Sequence, residues 1–195
     1  AYDGLRVRGK FTPSEEHRRI FFYPASGFAY KNHRTIIEAC KILQKRHMPP
    51  FRVLFTLQGD ETQEIRTLAE HSQSMNLPVE FIGSISKAQV YEYYTQSVLL
   101  FPSSIEAFGL PLLESRLYGG IILAADTAFA REILEGYANS LFFEVRNAEA
   151  LAEFMEQVIT GEFRYVDDSS AARVHLQRSE QSVLERFLQL LQRSK

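Results

Sequence analysis

Short, continuously apolar segments alternate with helical patterns along most of this chain, and this alternation constrains the fold more than any other feature. Strand-length apolar runs are predicted at residues 20–23, 53–57, 79–82, 98–101, 121–124 and 141–143. Helical patterns follow them at residues 33–47, 62–75, 87–95, 110–118, 128–135 and 148–159. Apolar runs without polar alternation are typical of strands covered on both faces. The order predicts right-handed crossovers and a doubly wound α/β domain, with about six parallel strands and helices on both faces of the sheet.

The two ends of the chain lack this alternation. Residues 1–18 are polar and charged, and we expect a lead-in or interdomain segment before the α/β domain at residues 19–162. Residues 163–195 are predicted to be a C-terminal extension with an amphipathic helix at 182–192. This helix either caps the domain's own sheet or docks on a partner domain. The first residues are no signal peptide and lack an initiator methionine, so we expect a processed chain or an excised fragment.

Charge and cysteine content exclude several classes of protein. The 22 lysines and arginines against 24 aspartates and glutamates leave a net charge of −2, which argues against nucleic-acid binding through a broad basic surface. The single cysteine, Cys40, excludes a disulfide framework and a multi-cysteine zinc site, favours a reducing compartment, and is expected to be a small buried hydrophobe. The histidines show no metal-ligand spacing, at positions His17, His33, His47, His71 and His175.

Residues that directly follow the strands are the candidate binding residues, because ligands of an open parallel sheet bind beyond the carboxyl ends of its strands. The loop after the first strand carries Lys31 just before a helix, where the helix N-terminus favours anions; a solvated loop lysine is the alternative. Asn32 is the expected N-cap of that helix, and Ser86 that of the third helix. Tyr91, Tyr93 and Tyr94 on the third helix are expected to pack against neighbouring elements or to lie on the surface.

The segment after the fourth strand is the most informative part of the chain. Pro111 suits the first turn of a helix, and Gly109 leaves the backbone bare before it, where free N–H groups can bind a diphosphate. Glu106 precedes this turn and Glu114 lies about one turn inside the helix, so the two carboxylates could bracket a ligand. Acidic residues hold ribose hydroxyls in other α/β folds. The alternative is that the spacing of eight residues between the two glutamates is a coincidence.

The stretch Pro102-Ser103-Ser104-Ile105-Glu106-Ala107-Phe108-Gly109-Leu110-Pro111-Leu112-Leu113-Glu114-Ser115 resembles the signature of the retaining, family-four glycosyltransferases. Residues 119–120, 30–33, 81–83 and 126–134 and Gly59 extend the resemblance over about residues 20–160. The resemblance implies the GT-B fold, in which two Rossmann-like domains face each other across a cleft. It identifies this chain as the C-terminal, nucleotide-sugar-binding half, and the N-terminal, acceptor-binding domain as missing.

The resemblance also implies roles for individual residues. Lys31 would contact the donor diphosphate, Glu106 would lie near the transferred sugar and its leaving phosphate, and both are candidate catalytic residues. Glu114 would hold the ribose hydroxyls. The other candidate donor-binding residues lie on loops and helix starts and contribute largely backbone atoms, at Ser26, Gly27, Gly59, Ser84, Ile85, Phe108, Gly109 and Leu110.

One departure concerns the diphosphate, because Ser26 stands where many family members carry an arginine. Basic side chains are expected in place of a divalent metal, so neither a metal nor another cofactor is predicted. Residues 23–25 and 31–33 resemble the branch that assembles surface polysaccharide and lipopolysaccharide, with GDP-mannose as the first candidate for the nucleotide sugar. We expect a cytoplasmic location. Arginines near the C-terminus could contact anionic lipid headgroups if they share one face of the predicted helix, and a solvated charged face is the alternative.

Two other functions remain open at this point. One is a fragment of a GT-B-fold nucleotide-sugar epimerase or a phosphorylase, which would carry out a different reaction with the same donor-binding half. The other is a non-catalytic α/β interaction module, for which the serine at position 26 is the main support. Nucleotide binding that requires Lys31 and Glu114 would remove the second alternative.

Overall fold

A computed structural model describes residues 9–167 of the 195-residue chain. Strands β1 to β6 lie at Ile20–Tyr23, Arg52–Phe55, Val79–Phe81, Val98–Phe101, Ile122–Ala125 and Ser140–Phe143. Helices α1 to α6 lie at His33–Lys45, Gln63–Ser74, Lys87–Gln96, Leu110–Leu117, Ala128–Ile133 and Ala148–Thr160. Every predicted strand and helix in this part of the chain is present, with ends that differ from the prediction by at most two residues.

All six strands form one parallel sheet in the order β3-β2-β1-β4-β5-β6. This confirms the doubly wound α/β fold. The strand order reverses between β1 and β4, which pair through Phe21 with Val98 and through Phe22 with Leu99. The connections that leave these two strands run to opposite sides, so a crevice opens at their carboxyl ends. The candidate residues on the loops after β1 and β4 belong to this crevice.

The core explains why the strands lack polar alternation. Every residue of β4 and β5 is buried, because helices cover both faces of the sheet at its centre. Helix α1 places Ile36, Cys40 and Leu43 against the sheet, all fully buried. Burial raises the pKa of the Cys40 thiol, which keeps it protonated and unreactive. Cys40 is thus the small buried hydrophobe that its position on the helix predicted.

The described parts of the two terminal segments pack on the α/β domain. Phe11 is buried in the core, and its N–H donates to the carbonyl of Tyr118 at 2.8 Å. After α6, the Tyr165 hydroxyl donates to the carbonyl of Gly119 at 3.0 Å. The predicted helix at 182–192 and the C-terminal arginines (Arg173, Arg178, Arg186 and Arg193) lie outside the described residues. Within residues 9–167, no helix has both the length and the apolar character required to cross a bilayer.

Ser86 caps the N-terminus of α3, as predicted, and it does so through a reciprocal pair of contacts. Its Oγ accepts from the N–H of Gln89 at 3.3 Å, and the Gln89 side chain accepts from the N–H of Ser86 at 2.9 Å. We expect Ser86→Ala to lower the free energy of unfolding by about 1 kcal/mol, because one N-terminal N–H loses its acceptor. Urea denaturation measures this; a value equal to that of the unchanged chain would show that the cap contributes nothing.

Candidate functional site

Lys31 and Glu106 meet across the crevice between β1 and β4. Lys31 ends a short 3-10 turn, Ala29–Lys31, and Glu106 lies on the loop that leaves β4. The Lys31 Nζ lies 2.5 Å from Glu106 Oε1, and the two side chains are only 14% and 13% exposed. The two residues that the sequence analysis proposed for the reaction centre are therefore in direct contact, as a nearly buried ion pair.

Hydrogen bonds between the two loops hold this pair in place. The Tyr23 hydroxyl donates to the carbonyl of Lys31 at 2.8 Å and lies 2.8 Å from the Ser103 hydroxyl. The N–H of Ser104 donates to the carbonyl of Tyr30 at 3.0 Å. Burial, more than any other cause, raises the pKa of Tyr23, so its hydroxyl stays protonated. The backbone at Lys31 is thereby fixed to the loop that carries Glu106.

Asn32 joins the same two loops, which corrects its predicted role. It occupies the N-cap position of α1, but its side chain caps nothing there. Its backbone is left-handed, with φ of 53°, and its amide donates to the carbonyl of Pro102 at 2.8 Å. An asparagine tolerates this conformation better than most residues do. The side chain therefore stabilises the crevice rather than the helix end.

Gly109 is the N-cap residue of α4, in a position that accepts no larger residue without strain. Its φ is +57°, and a Cβ there would lie 2.6 Å from Cδ1 of Ile133. Pro111 occupies the first turn, as predicted. Pro111 has no N–H, and the N–H of Leu112 donates to the carbonyl of Gly109 at 2.9 Å, so Gly109 and Leu110 carry the N–H groups that remain for an anion at the start of α4. Its neighbours Phe108 and Leu110 are exposed.

Glu114 lies one turn inside α4, and donors from α3 hold both of its carboxylate oxygens. The Lys87 ammonium donates to Oε1, and the Tyr94 hydroxyl donates to Oε2 at 3.1 Å. Although partial burial lowers the pKa of Lys87, its bond to the Glu114 carboxylate raises that pKa above the usual value. A carboxylate has about four acceptor positions, so Glu114 retains capacity for further donors.

Sequence reasoning did not find Lys87, and it assigned Tyr94 to packing. Tyr94 is indeed buried, but its hydroxyl also binds Glu114. One signal was present, because Lys87 and Tyr94 are seven residues apart and so lie on one side of a helix. The sequence does not say which element this side of α3 faces. In the structure it faces α4.

The glycines of the remaining loops pack closely against neighbouring elements. A Cβ at Gly27 would lie 2.9 Å from Cγ1 of Ile65 in α2, and the N–H of Gly59 donates to Glu61 Oε2 at 3.1 Å. Partial burial raises the pKa of Glu61, but hydrogen bonds from backbone N–H groups outweigh burial and hold this pKa below its usual value. No feature of the structure distinguishes donor contact at Ser26, Gly27, Gly59, Ser84 or Ile85 from ordinary loop packing, so that role stays a prediction.

A polar groove of about 540 Å³ lies elsewhere, between α2 and β3. Gln58, Gly59, Arg66, Asn76 and Phe81 are among its lining residues. Lys31, Glu106 and Glu114 are not among the residues that line it. This groove therefore offers an alternative binding place that an experiment can distinguish from the crevice.

His33 follows the Lys31 turn as the first residue of α1 and is buried. Its ring lies 4.9 Å from that of Tyr23 and 5.1 Å from that of Phe55, between centroids. Burial, assisted by the positive charge of Lys31, lowers the pKa of His33 to about 4. Its Nε2 is buried and has no hydrogen-bond partner among the described residues. His33 is therefore neutral at physiological pH and supports the crevice by packing.

The pKa of His33 predicts that the chain loses stability in acid. An unfolded histidine has a pKa of about 6.5, so the unfolded state binds the extra proton as the pH falls from about 6.5 towards 4. We expect this residue to cost about 2 kcal/mol of the free energy of unfolding at pH 5 relative to pH 8. Urea denaturation of the unchanged chain and of His33→Gln at both pH values isolates the effect; equal losses in the two proteins would contradict it.

A family model described as "Glycosyl transferases group 1" matches residues 9–175. No curated protein sequence is significantly similar to the chain.

Solved structures with a similar fold include a galactosyltransferase. TarM from S. aureus, solved in complex with Fondaparinux, alpha-GlcNAc-glycerol and UDP, aligns with a TM-score of 0.73 at 17% identity, over 95% of this chain and 38% of its own. HepE from Anabaena, solved with UDP and glucose, aligns with a TM-score of 0.71 at 18% identity, over 96% of this chain and 56% of its own. The lipopolysaccharide outer core galactosyltransferase WaaB aligns with a TM-score of 0.60 at 16% identity, over 83% of this chain and 48% of its own. The chain thus spans less than two thirds of each of these proteins.

Proposed function

This chain belongs to the glycosyl transferases group 1 family, and from that premise we propose that it binds the nucleotide-sugar donor of a hexosyl transfer. The observation that carries the proposal is the pair of lysine–glutamate contacts on the elements that border the crevice, Lys31 with Glu106 and Lys87 with Glu114. A nucleoside diphosphate needs a cationic site for its phosphates and a hydrogen-bond acceptor for its ribose. Lys31 would supply the cation, and Glu114 would supply the acceptor.

Lys31 and the start of α4 are proposed to bind the diphosphate. The Lys31 ammonium already lies within the crevice, and the N–H groups of Gly109 and Leu110 at the start of α4 add donors that need no metal. Both would stabilise the charge that develops on the departing nucleoside diphosphate, which is the largest contribution that such a site can make. Ser26 stands where many family members have an arginine, so the site has one cation fewer. Lys31 therefore carries more of the stabilisation of the diphosphate charge.

The proposed reaction is transfer of a hexose with retention at the anomeric carbon. The bond between that carbon and the diphosphate oxygen breaks, and its electron pair stays with the diphosphate. The acceptor hydroxyl oxygen forms the new bond to the carbon, and its proton passes to the departing diphosphate. Glu106 would lie beside the sugar and hold the Lys31 ammonium towards the leaving phosphate.

Two classes of nucleotide sugar are candidate donors. GDP-mannose is the first candidate from the resemblance, and UDP-sugars stand beside it because the TarM and HepE structures hold UDP. The proposed acceptor is a glycan or a lipid-linked sugar in surface polysaccharide or lipopolysaccharide assembly, at the cytoplasmic face of the membrane. The acceptor-binding domain would lie outside this chain, so we expect the chain alone to bind the donor and to transfer weakly or not at all.

Calorimetric titration with UDP, GDP and ADP, and with UDP-glucose and GDP-mannose, tests the proposal. We expect saturable binding of one nucleoside diphosphate and of its sugar conjugate. Binding of none would contradict the donor-binding function and favour the non-catalytic module that Ser26 suggested. A chain that binds the nucleotide and interconverts free nucleotide sugars without an acceptor would instead be an epimerase fragment.

A further inference from the structure

Lys87 contacts the predicted ribose acceptor from the solvent side. It is the first residue of α3, and its side chain is 58% exposed, whereas that of Glu114 is 11% exposed. Its Nζ lies 5.1 Å from the centroid of the Tyr91 ring, so the ammonium has a second favourable neighbour. Lys87 thus connects the open side of the site to an almost buried carboxylate.

Tyr94 fixes the other oxygen of the same carboxylate from the interior. Its ring is packed against Phe22 and Tyr118, with centroid distances of 6.0 Å in each case. Burial first, and the Glu114 charge second, raise the pKa of Tyr94 well above its usual value, so the phenol remains a donor. One donor on Oε2 does not by itself fix the plane of the carboxylate, which can turn about its Cγ–Cδ bond.

We propose that Lys87 is a positioning residue that orients Glu114 for the ribose, with Tyr94 as the fixed side of the clamp; this inference rests on the proposed function above. The two donors occupy two of about four acceptor positions on the carboxylate. The positions that remain suit the two vicinal hydroxyls of one ribose. Without the ammonium on Oε1, the carboxylate can turn about its Cγ–Cδ bond and lose this alignment.

Removal of the ribose hydroxyls provides the decisive comparison. The probes are UDP and GDP, each with its 2′,3′-dideoxy form, titrated into the full chain and into Lys87→Met. We expect Lys87→Met to weaken ribonucleotide binding about tenfold, in line with coupling between residues in contact, and to change dideoxynucleotide binding less than twofold. Lys87→Arg keeps a donor at this position and should recover most of the loss.

A matched control is Lys41→Met, which removes the Lys41–Glu38 pair from α1, at 2.8 Å. It should leave the affinity for all four nucleotides unchanged. Because Lys87 is more than half exposed, we expect Lys87→Met to fold; Tyr94→Phe, which deletes only the other donor, should show the same selective loss for ribonucleotides.

Two results would overturn the inference while leaving the proposed function intact. An equal loss for the ribo and dideoxy forms would mean that Lys87 binds the phosphates or supports the fold. Tighter ribonucleotide binding by Lys87→Met would mean that the lysine competes with the ribose for Glu114. If the unchanged chain binds neither UDP nor GDP, the proposed function itself fails, and the inference with it.

Discussion

Replacement of Glu114 by alanine should remove most of the nucleotide affinity of this chain. A hydrogen bond to a charged group contributes about 1.5–3 kcal/mol, and the ribose offers two hydroxyls to this carboxylate. A loss of about 3 kcal/mol, or roughly a hundredfold in Kd, is therefore expected. Calorimetric titration of the unchanged chain and Glu114→Ala with the nucleoside diphosphate that binds measures it.

Two further variants make the result for Glu114 specific. Glu92→Ala removes an exposed carboxylate from α3 and should leave affinity unchanged. Glu114→Gln keeps one acceptor oxygen and should lose less affinity than the alanine variant. If Glu114→Ala binds the nucleotide as tightly as the unchanged chain does, the ribose is not held at this residue.

Replacement of Lys31 by alanine should weaken binding of a nucleoside diphosphate by about 2–3 kcal/mol, or roughly thirty- to a hundredfold. The loss has two causes: the diphosphate loses its cation, and Glu106 becomes a nearly buried, unpaired negative charge beside it. The corresponding nucleoside carries no phosphate, so its affinity should stay unchanged. Parallel titrations with both ligands measure the difference.

The double variant Lys31→Ala/Glu106→Ala separates the two causes. Deletion of Glu106 from the Lys31→Ala background removes the repulsion and should recover part of the diphosphate affinity. Lys41→Met again controls for the loss of a lysine elsewhere. Equal losses for the nucleoside and the diphosphate would show that Lys31 supports the fold rather than the phosphates.

Sequence predicted the fold closely because the strands owe their apolar character to burial. Strands β1 and β4 have the predicted bounds, and each is an uninterrupted apolar run that lies at the centre of the sheet. The crevice followed from the same reasoning, since strand order in such a sheet reverses where its ligands bind. Lys31 and Glu106 were predicted to lie on the two loops at this reversal, but their contact was not predicted.

Contacts between side chains on different helices were not predictable in the same way. Lys87 and Tyr94 bind Glu114 because α3 packs beside α4, and no spacing within α3 contains that fact. The predicted capping by the Asn32 side chain was wrong for a different reason. The N-cap rule assumes an extended backbone, whereas the backbone of Asn32 is left-handed and its side-chain amide donates to the carbonyl of Pro102. The position of a residue was readable from the sequence, but its partner was not.

A crystal structure of the chain with the bound nucleoside diphosphate tests the central claim most directly. The account predicts ribose hydroxyls within about 2.7–3.2 Å of the Glu114 carboxylate, and phosphate oxygens at the Lys31 ammonium and the start of α4. A nucleotide seated instead in the polar groove between α2 and β3, with Glu114 still bound only by Lys87 and Tyr94, would contradict it.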